Sequence, residues 1–193
     1  MLFRSDANET AVAWRVAIES RDRPVALILT RQDVPTLDRA KFAAADGLQR
    51  GAYVLADAPN GKPDIILIAT GSEVSLVVAA CQKLTENKIN VRIVSMPSWE
   101  LFEAQPRSYR DSVLPPSRRA RLAVEAGATQ GWCKYVGDEG DVIGVDRFGA
   151  SAPGEVMMRE YGFAVDNVYE RAMKLVRAAT PNRTRDRTGD DTP

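Results

Sequence analysis

Asp64-Ile65-Ile66-Leu67-Ile68-Ala69-Thr70-Gly71-Ser72-Glu73-Val74 is the stretch that decides the fold. From Ile65 to Ala69 there is no polar residue, and a strand without alternation needs both of its faces covered, as a parallel strand between two helical layers is. Beyond the Gly71 turn, Val74, Val77, Val78, Cys81 and Leu84 recur at the spacing of one helical face. Thr70 and Glu73 have capping-box spacing, which predicts that the Thr70 side chain starts this helix. A buried strand, a glycine turn and an amphipathic helix make one β-α unit of an α/β sheet.

Downstream, apolar runs predict strands over 91–96, 120–124 and 142–145, with a short helix near Ser98 to Phe102. Pro153 suits the first turn of a helix through Tyr161. A last helix runs from Asp166 with Val168, Ala172, Leu175, Val176 and Ala179 on one face. Strands alternating with helices predict a three-layer αβα domain around a mostly parallel, mixed sheet of five strands. Upstream, Gly51-Ala52-Tyr53-Val54-Leu55 reads as an entry strand, and 34–50, with Pro35 and scattered charge, as a linker. Before it, Asp6 and Glu9 have capping-box spacing, and Ala7, Ala11, Trp14 and Ile18 lie along one helical face. Val25-Ala26-Leu27-Ile28-Leu29 reads as another doubly covered strand. One helix and one strand cannot form a sheet or bury both faces of that strand, so either this pair joins the sheet that follows or it belongs to a domain whose remainder is missing. Residues 181–193 carry no large apolar side chain and are expected to be a disordered tail.

Composition narrows the chemistry. The 26 basic and 26 acidic residues cancel, which removes the electrostatic ground for nucleic-acid binding. The basic triplet Arg118, Arg119 and Arg121 fits a solvated strand entrance. No apolar stretch is long enough for a membrane span and no signal-peptide layout begins the chain, so a cytoplasmic protein without a membrane partner is expected. Two cysteines exclude a disulfide framework, and Cys81 falls on the core face of its helix. With no histidine, the chain can hold no Ser-His-Asp triad, Cys-His pair or histidine-based metal site. No catalytic residue and no metal ligand is assigned.

The remaining candidates lie where strands end, because ligands of parallel sheets bind beyond the carboxyl edge. The Gly71 and Ser72 turn is either a weak anion site at a helix start or simply a tight βα turn; Glu73 opposes an anion, and the glycine spacing of a phosphate loop is absent. Arg31 follows an apolar strand, and its planar fork suits either a phosphate or carboxylate ligand or a structural ion pair. Glu125 and Asp146 also follow strands, as a base or as caps.

Taken in order, several segments resemble the C-terminal part of transketolases. They are Ala26-Leu27-Ile28-Leu29-Thr30-Arg31-Gln32, Gly51-Ala52-Tyr53-Val54-Leu55, Ile68-Ala69-Thr70-Gly71-Ser72-Glu73-Val74 and Val94-Ser95-Met96-Pro97-Ser98. Tyr109-Arg110, Ser112-Val113-Leu114-Pro115, Val124-Glu125-Ala126-Gly127, Asp146-Arg147-Phe148-Gly149-Ala150-Ser151-Ala152-Pro153 and Tyr161-Gly162-Phe163 continue the series. The resemblance covers roughly residues 3–178, and the collinear order makes it specific.

The resemblance implies a parent enzyme that moves a two-carbon ketol unit between sugar phosphates in a pentose phosphate pathway, with thiamine diphosphate and Mg²⁺ (or Ca²⁺). It implies that Arg31 binds the substrate phosphate, and it gives Gly71 and Ser72 no cofactor role. It divides the chain into 1–33, the end of a pyrimidine-binding domain, 34–50, a linker, and 51–180, the C-terminal domain. The family's Gly-Asp-Gly metal region, thiamine-activating glutamate and histidines are absent, and Ser5 stands where the family has proline. Met1 is therefore expected to be a truncated or misassigned start, and the chain to be inactive alone, binding no cofactor. Its partners would be the remainder of a transketolase, a second copy in a homodimer, and a sugar phosphate. The alternatives are a related thiamine-diphosphate enzyme, of the deoxyxylulose-phosphate synthase or 2-oxoacid dehydrogenase β type, and a stand-alone anion-binding regulatory module.

Overall fold

A computed structural model describes residues 1–30 and 33–179. Among these residues the elements run, in order, β1 (Leu2–Arg4), α1 (Ala7–Glu19), β2 (Ala26–Ile28), β3 (Tyr53–Ala56), β4 (Ile65–Ala69), α2 (Glu73–Glu86), β5 (Val91–Ser95), α3 (Trp99–Glu103), α4 (Arg107–Val113), β6 (Arg121–Val124), α5 (Cys133–Val136), β7 (Asp141–Ile143), α6 (Gly154–Glu160) and α7 (Val165–Ala179). The tail expected to be disordered falls outside the described residues.

The main sheet has the order β3-β5-β4-β6-β7. Strands β5, β4, β6 and β7 are parallel, and β3 joins β5 antiparallel at one edge. This is the mixed, mostly parallel five-stranded sheet expected. All five residues of β4 are buried, and alternation sends them to two cores. Ile65, Leu67 and Ala69 pack with Val77, Leu84, Val168 and Ala172 beneath α2 and α7. Ile66 and Ile68 pack on the opposite face with Phe102, Val113, Trp132 and Tyr135. Full burial of each such side chain contributes roughly 1.5–3 kcal/mol, which is why this strand lies at the centre of the sheet.

The leading segment forms its own two-stranded parallel sheet, with Arg4 opposite Ile28. The expectation of one lone strand there is corrected: β1, three residues long, pairs with it. A third core of Phe3, Ala13 and Leu48, with Val12, Val16, Leu27 and Leu101 packed around it, fastens this sheet and α1 to the rest. The Asp6–Glu9 capping box is present in full. The face expected for α1 is not the buried one: Trp14 is 53% and Ile18 67% exposed, whereas Ala13 is fully buried. The helix is apolar most of the way round, so periodicity alone could not select its packed side. Nor is β2 doubly covered, since Ala26 and Ile28 are exposed and only the Leu27 side is packed.

Trp132 is fully buried in an edge-to-face contact with Trp99. Among the described residues, no helix is long and apolar enough to cross a membrane.

Candidate functional site at the carboxyl edge of the sheet

Strands β4 and β6 are neighbours in register, Ala69 opposite Val124, so the residues that follow them, Thr70 and Glu125, meet beyond the sheet. The Thr70 hydroxyl donates to the Glu125 carboxylate. This corrects the expected capping box: Thr70 is committed sideways to β6, and α2 begins at Glu73 with Ser72 as an N-cap that makes no side-chain cap bond. Arg4 reaches the other Glu125 oxygen from the end of β1, Nε to Oε1 3.4 Å. Glu73 accepts from the Ser72 hydroxyl at 2.6 Å and from the Ala126 N–H at 3.2 Å. Burial, the largest effect, pushes the Glu125 carboxyl up to about 7, opposed by the Thr70 bond and the Arg4 charge and assisted by Glu73. Burial likewise raises Glu73.

These groups line a crevice of about 350 Å³ between the two sheets. Ile28, Leu29 and Thr30 at the end of β2, with Arg4 and Ser5 at the end of β1, form one wall. Residues 70–73, Glu125 and Ala126 form the other. The walls touch through backbone: a side chain on Gly71 would lie 3.8 Å from the Ser5 carbonyl oxygen, and Gly71 holds φ +54°, a conformation that other residues adopt at a cost. The Ser5 hydroxyl is buried here without a partner. Gly71 and Ser72 thus sit in this crevice with the Glu73 carboxyl against them, bonded to the Ser72 hydroxyl and the Ala126 N–H. Arg31, the substrate-binding candidate, lies outside the described residues; it follows Thr30 of the crevice wall in sequence.

A second polar cluster joins the two sheets a few residues away. Glu9 is fully buried, and its Oε1 accepts from the Tyr53 hydroxyl at 2.8 Å and from the Ser95 hydroxyl at 2.5 Å. Its Oε2 accepts from the Asp6 N–H at 3.0 Å. Arg39 pairs with Asp6 at 3.2 Å and donates to the Ala43 carbonyl at 2.7 Å. Burial first, then the neighbouring Asp6 charge, raises the Glu9 carboxyl to about 7.

A larger cavity, about 650 Å³, lies elsewhere, between α4, α5 and the start of β6. Several of its charged groups are engaged with one another or with backbone: Arg110 and Lys134 share Glu103, Arg119 pairs with Glu139, and Arg121 donates to four carbonyls. Only Arg118 and Arg119 of the basic triplet fit the solvated reading; Arg121 staples the strand entrance to its surroundings. Asp146, one of the strand-end candidates, binds the Thr129 N–H and hydroxyl at 2.9 and 2.7 Å. Among the described residues, no three His, Cys, Asp or Glu side chains converge as metal ligands.

Sequence reasoning treated Glu9 only as a cap and Tyr53 and Ser95 only as parts of motifs, and passed over Arg4 and Arg39. One signal was available: Thr70 and Glu125 each end an apolar strand, and adjacent parallel strands bring such residues together.

A family model described as "Transketolase-like TK C-terminal domain" matches residues 51–164. A transketolase of Geobacillus stearothermophilus is 59% identical over 172 residues, which are 89% of this chain and 26% of that protein. The solved transketolase of Leishmania mexicana superposes with a TM-score of 0.83 at 38% identity, covering 92% of this chain and 25% of its own. A Pichia stipitis transketolase solved in complex with sedoheptulose 7-phosphate gives 0.82 at 38% identity, again over 92% and 25%. The chain therefore spans about a quarter of the length of these relatives. It belongs to the transketolase family and corresponds to that family's C-terminal region.

Proposed function

We propose that the chain is the carboxy-terminal part of an enzyme that transfers a two-carbon ketol unit between sugar phosphates. The observation that carries this reading is the placement of the crevice: it joins the end of β2, from which the chain continues into Arg31, to the carboxyl edge of the matched domain. Arg31 is the phosphate ligand in this reading, its guanidinium offering charge-assisted, two-pronged hydrogen bonds. The sugar-phosphate complex of the Pichia relative supports the substrate class. A homodimeric, cytoplasmic enzyme of a pentose phosphate pathway is part of the same proposal.

The described residues do not themselves fit thiamine diphosphate and its metal. No ligand trio is present among them, and the two carboxyls of the crevice are already bonded to Thr70, Arg4, Ser72 and Ala126. Cofactor chemistry belongs in this reading to the rest of the enzyme. This segment contributes substrate binding and a docking surface. The stand-alone anion module is the weaker reading, because Glu73 and Glu125 face the Gly71–Ser72 turn.

Two assays test the proposal. Supplied with thiamine diphosphate and Mg²⁺, the purified chain should bind neither by calorimetry and show no ketol transfer. In a complete enzyme carrying this segment, Arg31→Ala should weaken phosphorylated substrates by roughly 1.5–3 kcal/mol and spare an unphosphorylated donor. Equal loss for both donors would refute the role of Arg31.

A further inference from the structure

We infer that the loop after β7, residues 146–153, is an anchor for the remainder of the enzyme, with Phe148 as the side chain that the remaining polypeptide buries. This rests on the reading of the chain as the carboxy-terminal part of a longer enzyme. Among the described residues, the exposed large apolar side chains are Trp14, Ile18, Ile28, Leu29 and Phe148. The first four belong to the leading segment. Phe148 belongs to the main domain, and it is 98% exposed. On a slack loop that exposure would mean little, but this loop is braced on both sides of the ring. Asp146 accepts from the N–H and the hydroxyl of Thr129 at 2.9 and 2.7 Å. The Arg147 guanidinium lies over the Tyr161 ring, 4.5 Å from its centroid, and donates to the Glu160 carbonyl at 3.1 Å. The Tyr161 hydroxyl donates to the Phe148 carbonyl at 2.6 Å. The backbone is held while the ring stands in solvent, which is the pre-organisation that lowers the cost of binding.

The composition of the loop fits an interface. From Asp146 to Glu155 every residue is exposed, yet from Phe148 to Gly154 none is charged. A side chain on Gly149 would meet nothing within 4 Å. Charge depletion around an aromatic ring marks the core of an interface, and the small residues beside it let another surface come close. The size of the stretch selects the occupant. It is shorter than the roughly 20–30 residues a side that a stable complex of separate molecules buries, so a second copy finds too little surface here. A surface tethered in the same polypeptide needs less, because its effective concentration is high. The relatives imply such polypeptide, since this chain covers 26% and 25% of their length. Helix α6 links the loop to the leading segment: Met158 lines the crevice with Ile28 and Leu29, and Tyr161, one turn on, holds Phe148. The body that covers the exposed end of β2 is therefore the one placed to receive the ring.

The test is hydroxyl-radical footprinting of Phe148 in the isolated chain and in an active, complete enzyme carrying this segment. Oxidation of Phe148 should fall on the order of tenfold in the complete enzyme, as for a ring in a desolvated anchor pocket. Phe148→Ser should lower the thermal midpoint of the complete enzyme by about 2 °C and leave that of the isolated chain unchanged, and Phe148→Leu should restore most of the loss. Equal oxidation of Phe148 in the two proteins overturns the inference, and so does an equal midpoint shift in both. Protection of Phe148 that grows with the concentration of the isolated chain assigns the ring to a second copy and overturns the inference as well. A soluble, folded complete enzyme without ketol transfer overturns the underlying reading instead, and this inference with it.

Discussion

Glu9→Gln isolates the buried seam between the leading segment and the main domain. Glu9 meets three donors and is raised to about 7 by burial and by Asp6. Its ordinary value is 4.5. Between those two pH values the folded chain holds a proton that the unfolded chain has released, so stability falls as pH rises through this window. At about 1.4 kcal/mol per pH unit, the loss attributable to Glu9 is roughly 3 kcal/mol between pH 4.5 and 7, levelling off above. Glutamine imitates the protonated acid. Its oxygen can accept the Asp6 N–H while its amide donates to the Tyr53 and Ser95 hydroxyls. Urea unfolding of both proteins at pH 5, 6, 7 and 8 gives the stability difference at each pH. Glu73 and Glu125 titrate in both proteins and cancel from the difference. The variant should match the parent near pH 5 and exceed it by up to about 3 kcal/mol at pH 8. A difference that stays constant from pH 5 to 8 would refute the account of Glu9.

Two further substitutions probe the fold. Leu67→Ala, at a fully buried position in the central strand, should cost about 2–5 kcal/mol in urea unfolding; a loss below about 1 kcal/mol would place β4 elsewhere than the centre. Ser5→Pro removes a buried hydroxyl that has no partner, follows a strand residue whose extended backbone suits a proline after it, and should raise stability by about 1 kcal/mol; a lower thermal midpoint would show that the Ser5 backbone cannot take a proline.

The main domain was legible because its central elements obey simple periodicities. An unbroken apolar run such as Ile65–Ala69 has one comfortable place in a sheet, and the Val74, Val77 and Leu84 face of α2 has one partner layer. Short elements were not legible. Strand β1 is three residues long, and α4 and α5 carry too few turns to show a helical period. The site was half legible, for a physical reason. Local patterns report local bonds, so the Asp6–Glu9 box was visible, but the bonds from Tyr53 and Ser95 to Glu9 span 44 and 86 residues. Thr70 shows the reverse failure: its local spacing to Glu73 suggested a cap, yet a carboxylate at the end of the neighbouring strand competes for the same hydroxyl and wins. Trp14 and Ile18 mark a face that looked like core because the helix carrying them is apolar on nearly every side.

The most direct test of the central claim is a graft. The last quarter of the Geobacillus stearothermophilus transketolase, 59% identical over the matched stretch, would be replaced by residues 3–178 of this chain, and ketol transfer between a ketose phosphate and an aldose phosphate measured with thiamine diphosphate and Mg²⁺. The chimaera should turn over within about tenfold of its parent, since conservative exchanges that keep core volume and pattern are tolerated. A soluble, folded chimaera with no ketol transfer would contradict the claim.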